Sequence, residues 1–241
     1  MTTVIAHRGE WGAEVKENSH LAIHNACRRG FAVETDVRMT QDGRLVLSHD
    51  PDLKRIYQLP TLIKDYKREA LGLLCPLGVA LQEAISAKTK LFLHIKELAG
   101  LQAALAEVDR YAAMQQCVFF ADGSNTVTLV RRCREIVATA RVAVHLRSPQ
   151  EYNQWGGLPV DVYWLDEELG PWITLECLQE MQVRQRMVCI VSPEILGLVQ
   201  RGSDLYNKWV QWSSIAAVGI CTDYPSHLKA ILQRSDRRRR P

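Results

Sequence analysis

Short apolar or β-branched runs alternate with amphipathic stretches along the whole chain. The apolar runs predict buried strands, because they are short and bounded by polar or turn-forming residues. The stretches between them carry apolar residues at three- and four-residue spacing, several behind a Ser, Thr or Asn cap, and predict helices. The predicted strands are 3–9, 32–40, 90–96, 117–123, 140–148, 160–166, 186–192 and 217–223, and the predicted helices are 19–30, 79–88, 100–113, 125–138, 148–155, 174–185, 194–212 and 226–234.

This alternation is typical of an α/β protein of the (β/α)8 TIM-barrel class, in which every strand is followed by a helix. A doubly wound open sheet is disfavoured, because the chain has neither a GxGxxG nor a GxxxxGK[ST] phosphate loop. Asp42-Gly43 predicts a hairpin within the second β/α unit. We therefore expect one domain over residues 1–234, followed by a basic, disordered tail at 235–241.

Composition narrows the class of protein further. The chain has a net charge of +3, but the four arginines at 237–240 account for it, so the rest is nearly neutral and no nucleic-acid partner is expected. The seven cysteines form no CxxC pair, which favours free thiols in a reducing compartment. No apolar run approaches the length of a transmembrane segment, and MTTVIAHRG lacks the regions of a signal peptide. A cytoplasmic protein is expected, with its oligomeric state left open.

Polar residues cluster where the predicted strands end, which is where barrel enzymes carry their chemistry. Glu34 and Asp36 are two residues apart, so their side chains point to the same side of a strand and repel each other unless a cation binds them. The other polar residues at strand ends, or in the hairpin after the second strand, are His7, Arg8, His49, Asp50, His94, Lys96, Asp122, Arg147, Asp166, Glu167, Ser192 and Asp223.

These residue types suit phosphoryl transfer. Carboxylates are ligands for Mg²⁺ or Ca²⁺, Arg8 and Lys96 can hold phosphate charge, and two histidines can act as an acid/base pair. Each feature also has a structural interpretation: a salt-bridged ExD pair, a turn held by Asp50, or a lysine that simply reaches solvent. The histidines at 20, 24, 145 and 227 lie on helices or within a strand, and are interpreted as structural or surface residues.

Five motifs together resemble the glycerophosphodiester phosphodiesterase family of TIM barrels: HRG (7–9), ENS (17–19), ETDVRMTQDGRLVLSHD (34–50), HIK (94–96) and CTDYP (221–225). The resemblance implies that His7 and His49 are the catalytic acid/base pair. It implies that Arg8 and Lys96 contact phosphate, with Lys96 also counted among the catalytic residues. Glu34 and Asp36 are the implied metal ligands.

Several departures from the family pattern change what is expected of the site. His94 replaces the third acidic metal ligand, so besides Mg or Ca the site could take Mn or Zn, which imidazole suits better; completion by Glu97 or water is an alternative. Lys16 replaces the proline of the PENT-like helix start. The connection from His49 to the helix near Val79 is short, which predicts a trimmed insertion after strand two and a different head group.

The sequence therefore predicts a phosphoric diester hydrolase: a metal-dependent phosphodiesterase that acts on a small-molecule, glycerophosphodiester-like substrate of lipid metabolism. Two alternatives stay open on the same barrel. One is a phospholipase-type lyase that releases a cyclic phosphate. The other is a non-catalytic protein that binds a phosphate-containing ligand.

Overall fold

The computed structural model describes residues 2–184 and 186–238 of the chain. The strands are β1 (Thr3–His7), β2 (Ala32–Met39), β3 (Leu45–Leu47), β4 (Asp52–Leu53), β5 (Leu59–Leu62), β6 (Leu91–Ile95), β7 (Cys117–Phe120), β8 (Ala143–Leu146), β9 (Val162–Leu165), β10 (Met187–Val191) and β11 (Val218–Thr222). The helices are α1 (His20–Arg28), α2 (Lys54–Tyr57), α3 (Leu77–Ala87), α4 (Leu101–Arg110), α5 (Asn125–Ile136), α6 (Pro149–Trp155), α7 (Leu175–Val183), α8 (Ser203–Trp212) and α9 (Pro225–Arg238).

The chain divides into two compact units, His7–Val142 and a second made of Met1–Ala6 with Ala143–Pro241. In the first unit, β2, β6 and β7 pair in parallel, and β3 returns antiparallel along β2. The register aligns Asp36 with His94 across β2 and β6. Polar residues from neighbouring strands are thereby brought side by side in an otherwise apolar sheet.

The hairpin predicted at Asp42-Gly43 is confirmed. Gly43 has φ 73° and its N–H donates to the carbonyl of Thr40 (3.0 Å), while the Thr40 N–H donates to the carbonyl of Arg44 (2.8 Å). A positive φ is readily adopted by glycine, so the turn residue matches the turn. The hairpin returns the chain along β2 and leads it to His49.

The connection between His49 and α3 contains structure that the sequence pattern did not predict. It holds β4 and β5, which pair antiparallel, together with α2 and the 3₁₀ turns Ile63–Asp65 and Arg68–Leu71. Its apolar side chains Leu53, Ile63, Leu71 and Leu74 form a buried cluster with Val46 of β3, and Tyr57 packs against it. This segment, called the cap from here on (residues 50–76), is therefore a packed element rather than a loose loop.

In the second unit, β1, β11, β10, β9 and β8 pair in parallel in that order. The predicted helix 194–212 is wrong in its first half, since α8 begins only at Ser203. Gly197 has φ 70°, and the Glu194 carboxylate accepts hydrogen bonds from Thr222 and from the N–H of Asp223, which hold its segment against β11. Tertiary hydrogen bonds thus replace the helix that the apolar spacing predicted.

All seven cysteines are free thiols, and six of them are buried; Cys177 is partly exposed. This agrees with the prediction of free thiols without disulfides. Among the described residues, no helix combines the length and apolar character needed to span a bilayer. Helix α9 continues through Arg238, and residues 239–241 lie outside the described residues, so the boundary at residue 234 and the disordered tail stay predictions.

Candidate active site

The centre of the site is a group of three buried side chains on two neighbouring strands. Glu34 and Asp36 lie on β2, His94 lies on β6, and one ligand atom from each falls within 4.8 Å of the others. Their exposed fractions are 3%, 1% and 8%. The structure therefore brings together the three residues predicted as metal ligands, in a place that water reaches poorly.

His94 bridges carboxylates on both sides of its ring. Its Nδ1 lies 3.1 Å from Asp36 Oδ1 and 4.0 Å from Glu34 Oε1, and its Nε2 lies 2.9 Å from Asp122 Oδ2. The ring stacks on Phe120, with centroids 4.6 Å apart, which fixes its plane. Burial lowers the pKa of His94, but the carboxylates of Asp122 and Asp36 outweigh that effect and the net pKa is raised.

Two basic side chains approach the same carboxylates. Arg8 Nε lies 3.3 Å from Asp36 Oδ2, and the backbone N–H of Arg8 donates to Glu34 Oε2 at 3.2 Å. Lys96 Nζ lies 3.6 Å from Asp36 Oδ1 and 3.5 Å from Asp122 Oδ2. Both predicted phosphate contacts thus lie within ion-pair distance of Asp36, where they form a positively charged rim on the carboxylate group.

Arg8 and Gly9 occupy a tight turn directly after β1. Arg8 has φ 55°, and Gly9 has φ 86°. A Cβ on Gly9 would lie 2.6 Å from the backbone carbon of Ala22 in α1, closer than real Cβ atoms come. The glycine of the HRG motif is therefore required for α1 to pack under the turn that aims Arg8 at the carboxylates.

Glu34 and Asp36 respond in opposite directions to the same environment. Burial and the neighbouring Asp36 charge raise the pKa of Glu34. Burial acts against ionisation of Asp36 as well, but the hydrogen bond and charge of His94, with the charges of Arg8 and Lys96, hold the pKa of Asp36 well below its ordinary value. The surroundings thus favour the ionised form of Asp36, whereas they disfavour ionisation of Glu34, which an added cation would offset.

Asn18 orients Asp36, a role that the sequence analysis did not assign. Its Nδ2 donates to Asp36 Oδ2 at 3.0 Å, and its Oδ1 accepts from Thr35 Oγ1 at 2.6 Å. Asn18 itself has φ 53°, a conformation that asparagine tolerates better than most residues. The ENS motif was the available signal for Asn18. Ser19 caps α1 by accepting a hydrogen bond from the N–H of Ala22, so Asn18 lies directly before the start of that helix.

The two predicted catalytic histidines differ in their surroundings. His7 Nε2 lies 3.9 Å from Glu34 Oε2, at the edge of the carboxylate group. His49 is 38% exposed in its side chain and its Nδ1 lies 2.7 Å from Asp50 Oδ1. Burial, reinforced by the charges of Arg8 and Lys96, lowers the pKa of His49 despite nearby carboxylates. A neutral His49 that donates from Nδ1 to Asp50 keeps Nε2 as a proton acceptor.

Arg55, on α2 of the cap, connects the cap to the site. Its Nη1 and Nη2 donate to the two Glu17 carboxylate oxygens at 3.0 and 2.6 Å, and its Nε donates to Asp50 at 2.5 Å. Glu17 also accepts from Arg8 Nη1 at 2.9 Å. Although burial works against ionisation of Glu17, these partners lower its pKa overall. The cap is therefore held by a bidentate ion pair that also fixes the Asp50 partner of His49.

Removal of Arg55 is predicted to change the titration of His49. In Arg55→Ala, a nearby positive charge is lost and Asp50 no longer shares its carboxylate, so the pKa of His49 rises. If His49 acts as a base, the acidic limb of the pH profile of kcat/KM should move to higher pH. Arg131→Ala, an exposed arginine on α5, is the matched control. An unmoved acidic limb would contradict the coupling of cap and histidine.

The remaining strand-end residues of the prediction lie in the second unit, where they contact other side chains of that unit. Asp166 pairs with buried His145, Glu167 accepts from Lys208 Nζ at 3.0 Å, and Arg147 pairs with Glu151. Ser192 Oγ accepts from Trp209 Nε1 at 2.7 Å and donates to Glu194. The interpretation of His145 as a structural residue agrees with its buried pairing. Glu97, considered as an alternative ligand, pairs instead with Arg38.

Comparison with known proteins places this site in a family. The family model described as "Glycerophosphoryl diester phosphodiesterase family" matches residues 7–122, the span that contains every side chain described around Asp36. The match covers just under half of the chain and assigns residues 7–122 to the glycerophosphodiester phosphodiesterase family. Members of that family are phosphoric diester hydrolases that act on glycerophosphodiesters, and the predicted family resemblance is confirmed.

The curated relatives match over a limited stretch. A glycerophosphodiester phosphodiesterase of Bacillus altitudinis is 42% identical over 72 residues, which is 30% of this chain and 29% of that protein. The chain thus aligns with less than a third of the length of this relative.

Solved structures match the fold over nearly the whole chain. A glycerophosphodiester phosphodiesterase of Parabacteroides distasonis has a TM-score of 0.75 and 18% identity, with 98% of each chain covered. A phosphodiesterase of Oleispira antarctica in complex with the product sn-glycerol-3-phosphate has a TM-score of 0.78 and 16% identity, with 96% of each chain covered. These matches, with the alternating strands and helices, confirm the predicted (β/α)8 barrel class.

Proposed function

We propose that the protein is a metal-dependent phosphodiesterase that hydrolyses glycerophosphodiester-like substrates. The observation that carries the proposal is the buried group of Glu34, Asp36 and His94 with Arg8 and Lys96 beside it. The family match over residues 7–122 and the glycerol-3-phosphate bound by the Oleispira antarctica structure support the same substrate class. We expect the site to accept a phosphodiester of glycerol and a small alcohol.

The donor set fits a divalent cation. Glu34 and Asp36 supply carboxylate oxygens and His94 an imidazole nitrogen, and all three converge within 4.8 Å. When bound there, such an ion neutralises negative charge and polarises a phosphate oxygen. Mg²⁺ and Ca²⁺ prefer oxygen ligands, whereas imidazole also suits Mn²⁺ and Zn²⁺. The buried position keeps the surroundings poor in water, so charge at these ligands acts strongly.

The side chains of the site have separate roles in phosphate binding and proton transfer. Arg8 and Lys96 supply positive charge and N–H donors for the non-bridging phosphate oxygens, whose charge grows in the transition state. His49, kept neutral by its lowered pKa, takes the proton of the substrate's neighbouring hydroxyl at Nε2 as that oxygen attacks phosphorus, while Asp50 holds Nδ1. His7 gives a proton to the leaving alcohol oxygen, and water then opens the cyclic phosphate to give glycerol 3-phosphate, with the two proton transfers reversed. Asn18 keeps Asp36 in place during both transfers.

The direct test is hydrolysis by metal-stripped protein with Mg, Ca, Mn and Zn added back in turn. Glycerophosphocholine and glycerophosphoethanolamine are the substrates, and the product is followed by phosphorus NMR. Metal-restored formation of glycerol 3-phosphate is the expected result. Accumulation of a cyclic phosphate would indicate the lyase alternative. Binding of the substrates by folded protein without turnover under any of the four metals would indicate the non-catalytic alternative.

His94→Glu is predicted to shift metal preference toward Mg or Ca. The substitution replaces a nitrogen donor by a hard carboxylate oxygen beside Asp36, and hard cations favour oxygen ligands. The measurement is activity against metal concentration for each of the four ions, with wild type and the variant compared side by side. An unchanged order of metals would place His94 outside the ligand set and leave it as an ion-pair partner of Asp36.

A further inference from the structure

A second convergence of ligand-type side chains lies on the outer helices of the first unit. His20 and His24 are four residues apart on α1, so they share one face of that helix. Glu83 on α3 reaches both: its Oε1 lies 2.8 Å from His20 Nε2, and its Oε2 lies 3.0 Å from His24 Nδ1. One ligand atom from each of the three lies within 4.8 Å of the others.

We propose that His20, His24 and Glu83 form a separate binding site for a late first-row divalent cation, zinc above all. Two imidazoles and one carboxylate are a ligand set that zinc takes in proteins, with a fourth position left to water. Ligand atoms about 2.0–2.1 Å from a tetrahedral zinc ion are about 3.3 Å apart. The carboxylate-to-imidazole separations here are only slightly shorter, so small side-chain rotations make room for the ion.

The site differs from the buried group around Asp36 in chemistry and access. It has two nitrogen donors, whereas the buried group has one, so softer cations are favoured. The His20, His24 and Glu83 side chains are 59%, 38% and 22% exposed, which gives an ion direct entry from solvent. The site shares no residue with the buried group, and the inference does not depend on the proposed reaction.

The simpler interpretation is a pair of hydrogen bonds between two imidazoles and one carboxylate. That arrangement already holds the three polar groups close together, so little further conformational entropy is lost when an ion binds. The ligands also come from two helices that pack on each other. A bound ion would therefore link α1 to α3 and raise the thermal stability of the protein, which hydrogen bonds alone would not do in a zinc-dependent way.

Zinc titration of the full chain by calorimetry tests the proposal, with Co²⁺ as a spectroscopic probe of tetrahedral coordination. The background is Glu34→Gln, which removes one carboxylate of the buried group. In this variant, one equivalent of zinc is expected to bind at His20, His24 and Glu83 and to raise the melting temperature of the protein. His20→Ala with His24→Ala should weaken that binding by more than about 100-fold, since even outer-shell partners of metal sites are worth about 10–100-fold.

His227→Ala, an exposed histidine on α9, is the matched control and should leave the zinc affinity unchanged. Glu83→Gln keeps the size of the side chain but removes its charge, and should also weaken zinc binding in a protein that circular dichroism shows to be folded. Zinc affinity equal to the parent in both the double histidine variant and Glu83→Gln would overturn the proposal. If the buried group of Glu34, Asp36 and His94 binds no metal, the wild-type protein should bind one zinc ion instead of two. The variant with both His20→Ala and His24→Ala should still lose that one ion.

Discussion

His7→Ala and His49→Ala are each expected to lower kcat by about 10²–10⁴-fold, the usual contribution of a positioned acid or base. The two rings have different neighbours: His7 Nε2 lies 3.9 Å from Glu34 Oε2, whereas His49 Nδ1 lies 2.7 Å from Asp50 Oδ1. Each is suited to one proton transfer that the other cannot replace. Because the His7 and His49 side chains are 13% and 38% exposed, and neither belongs to the apolar core, neither truncation should unfold the chain.

The pH dependence separates the two roles. A base must be neutral, and the surroundings of His49 lower its pKa from 6.5. The acidic limb of the pH profile of kcat/KM should therefore have its midpoint below pH 6.5. Activity is then lost as the pH drops through the lowered pKa, and His49→Ala should remove this limb. His227→Ala serves as the control for loss of an exposed histidine. Near-normal turnover in both His7→Ala and His49→Ala would reject the acid/base assignment.

The fold could be predicted because its signals are local. A buried parallel strand such as LFLHI at 91–95 is an apolar run, and a helix such as α4 repeats apolar residues every three or four positions. The prediction failed where tertiary contacts override such patterns. Residues 194–202 have helical spacing but are held by the Glu194 hydrogen bonds to β11. The cap was missed because its strands are very short.

The candidate site was predictable to the extent that it lies on strand ends. Glu34, Asp36, His94 and Lys96 follow directly from the strand pattern, since parallel strands end on the same edge. Asn18 and Arg55 lie outside the strands, and their contacts depend on how α1 and the cap pack, which no local pattern states. Likewise, His20 and His24 share a helix face, but only the packing of α3 brings Glu83 to them.

Glu34→Gln and Asp36→Asn are both predicted to abolish the metal response of the enzyme. Only Asp36→Asn is expected to lower the free energy of unfolding. The folded environment raises the pKa of Glu34, so the charged form is disfavoured by folding and a neutral amide should leave the protein equally or more stable. It lowers the pKa of Asp36, so the charge of Asp36 contributes stability at neutral pH that is lost as the pH falls through the lowered pKa.

Asp36→Asn should be the costly change, because Asp36 is the shared partner of Arg8, Lys96 and His94. Removing one member of a buried ion pair typically costs about 3–5 kcal/mol, since the charges left behind lose their compensation. Urea unfolding and metal titration of both variants measure the two effects. Asp109→Asn, at an exposed position of α4, controls for the loss of a carboxylate.

A wild-type metal response in Glu34→Gln would remove Glu34 from the ligand set. If Glu34→Gln unfolded at a lower urea concentration than Asp36→Asn, the division of charge between the two carboxylates would be wrong. The expected pattern is a stable but inactive Glu34→Gln protein. It would mean that the buried charge of Glu34, next to that of Asp36, costs folding free energy.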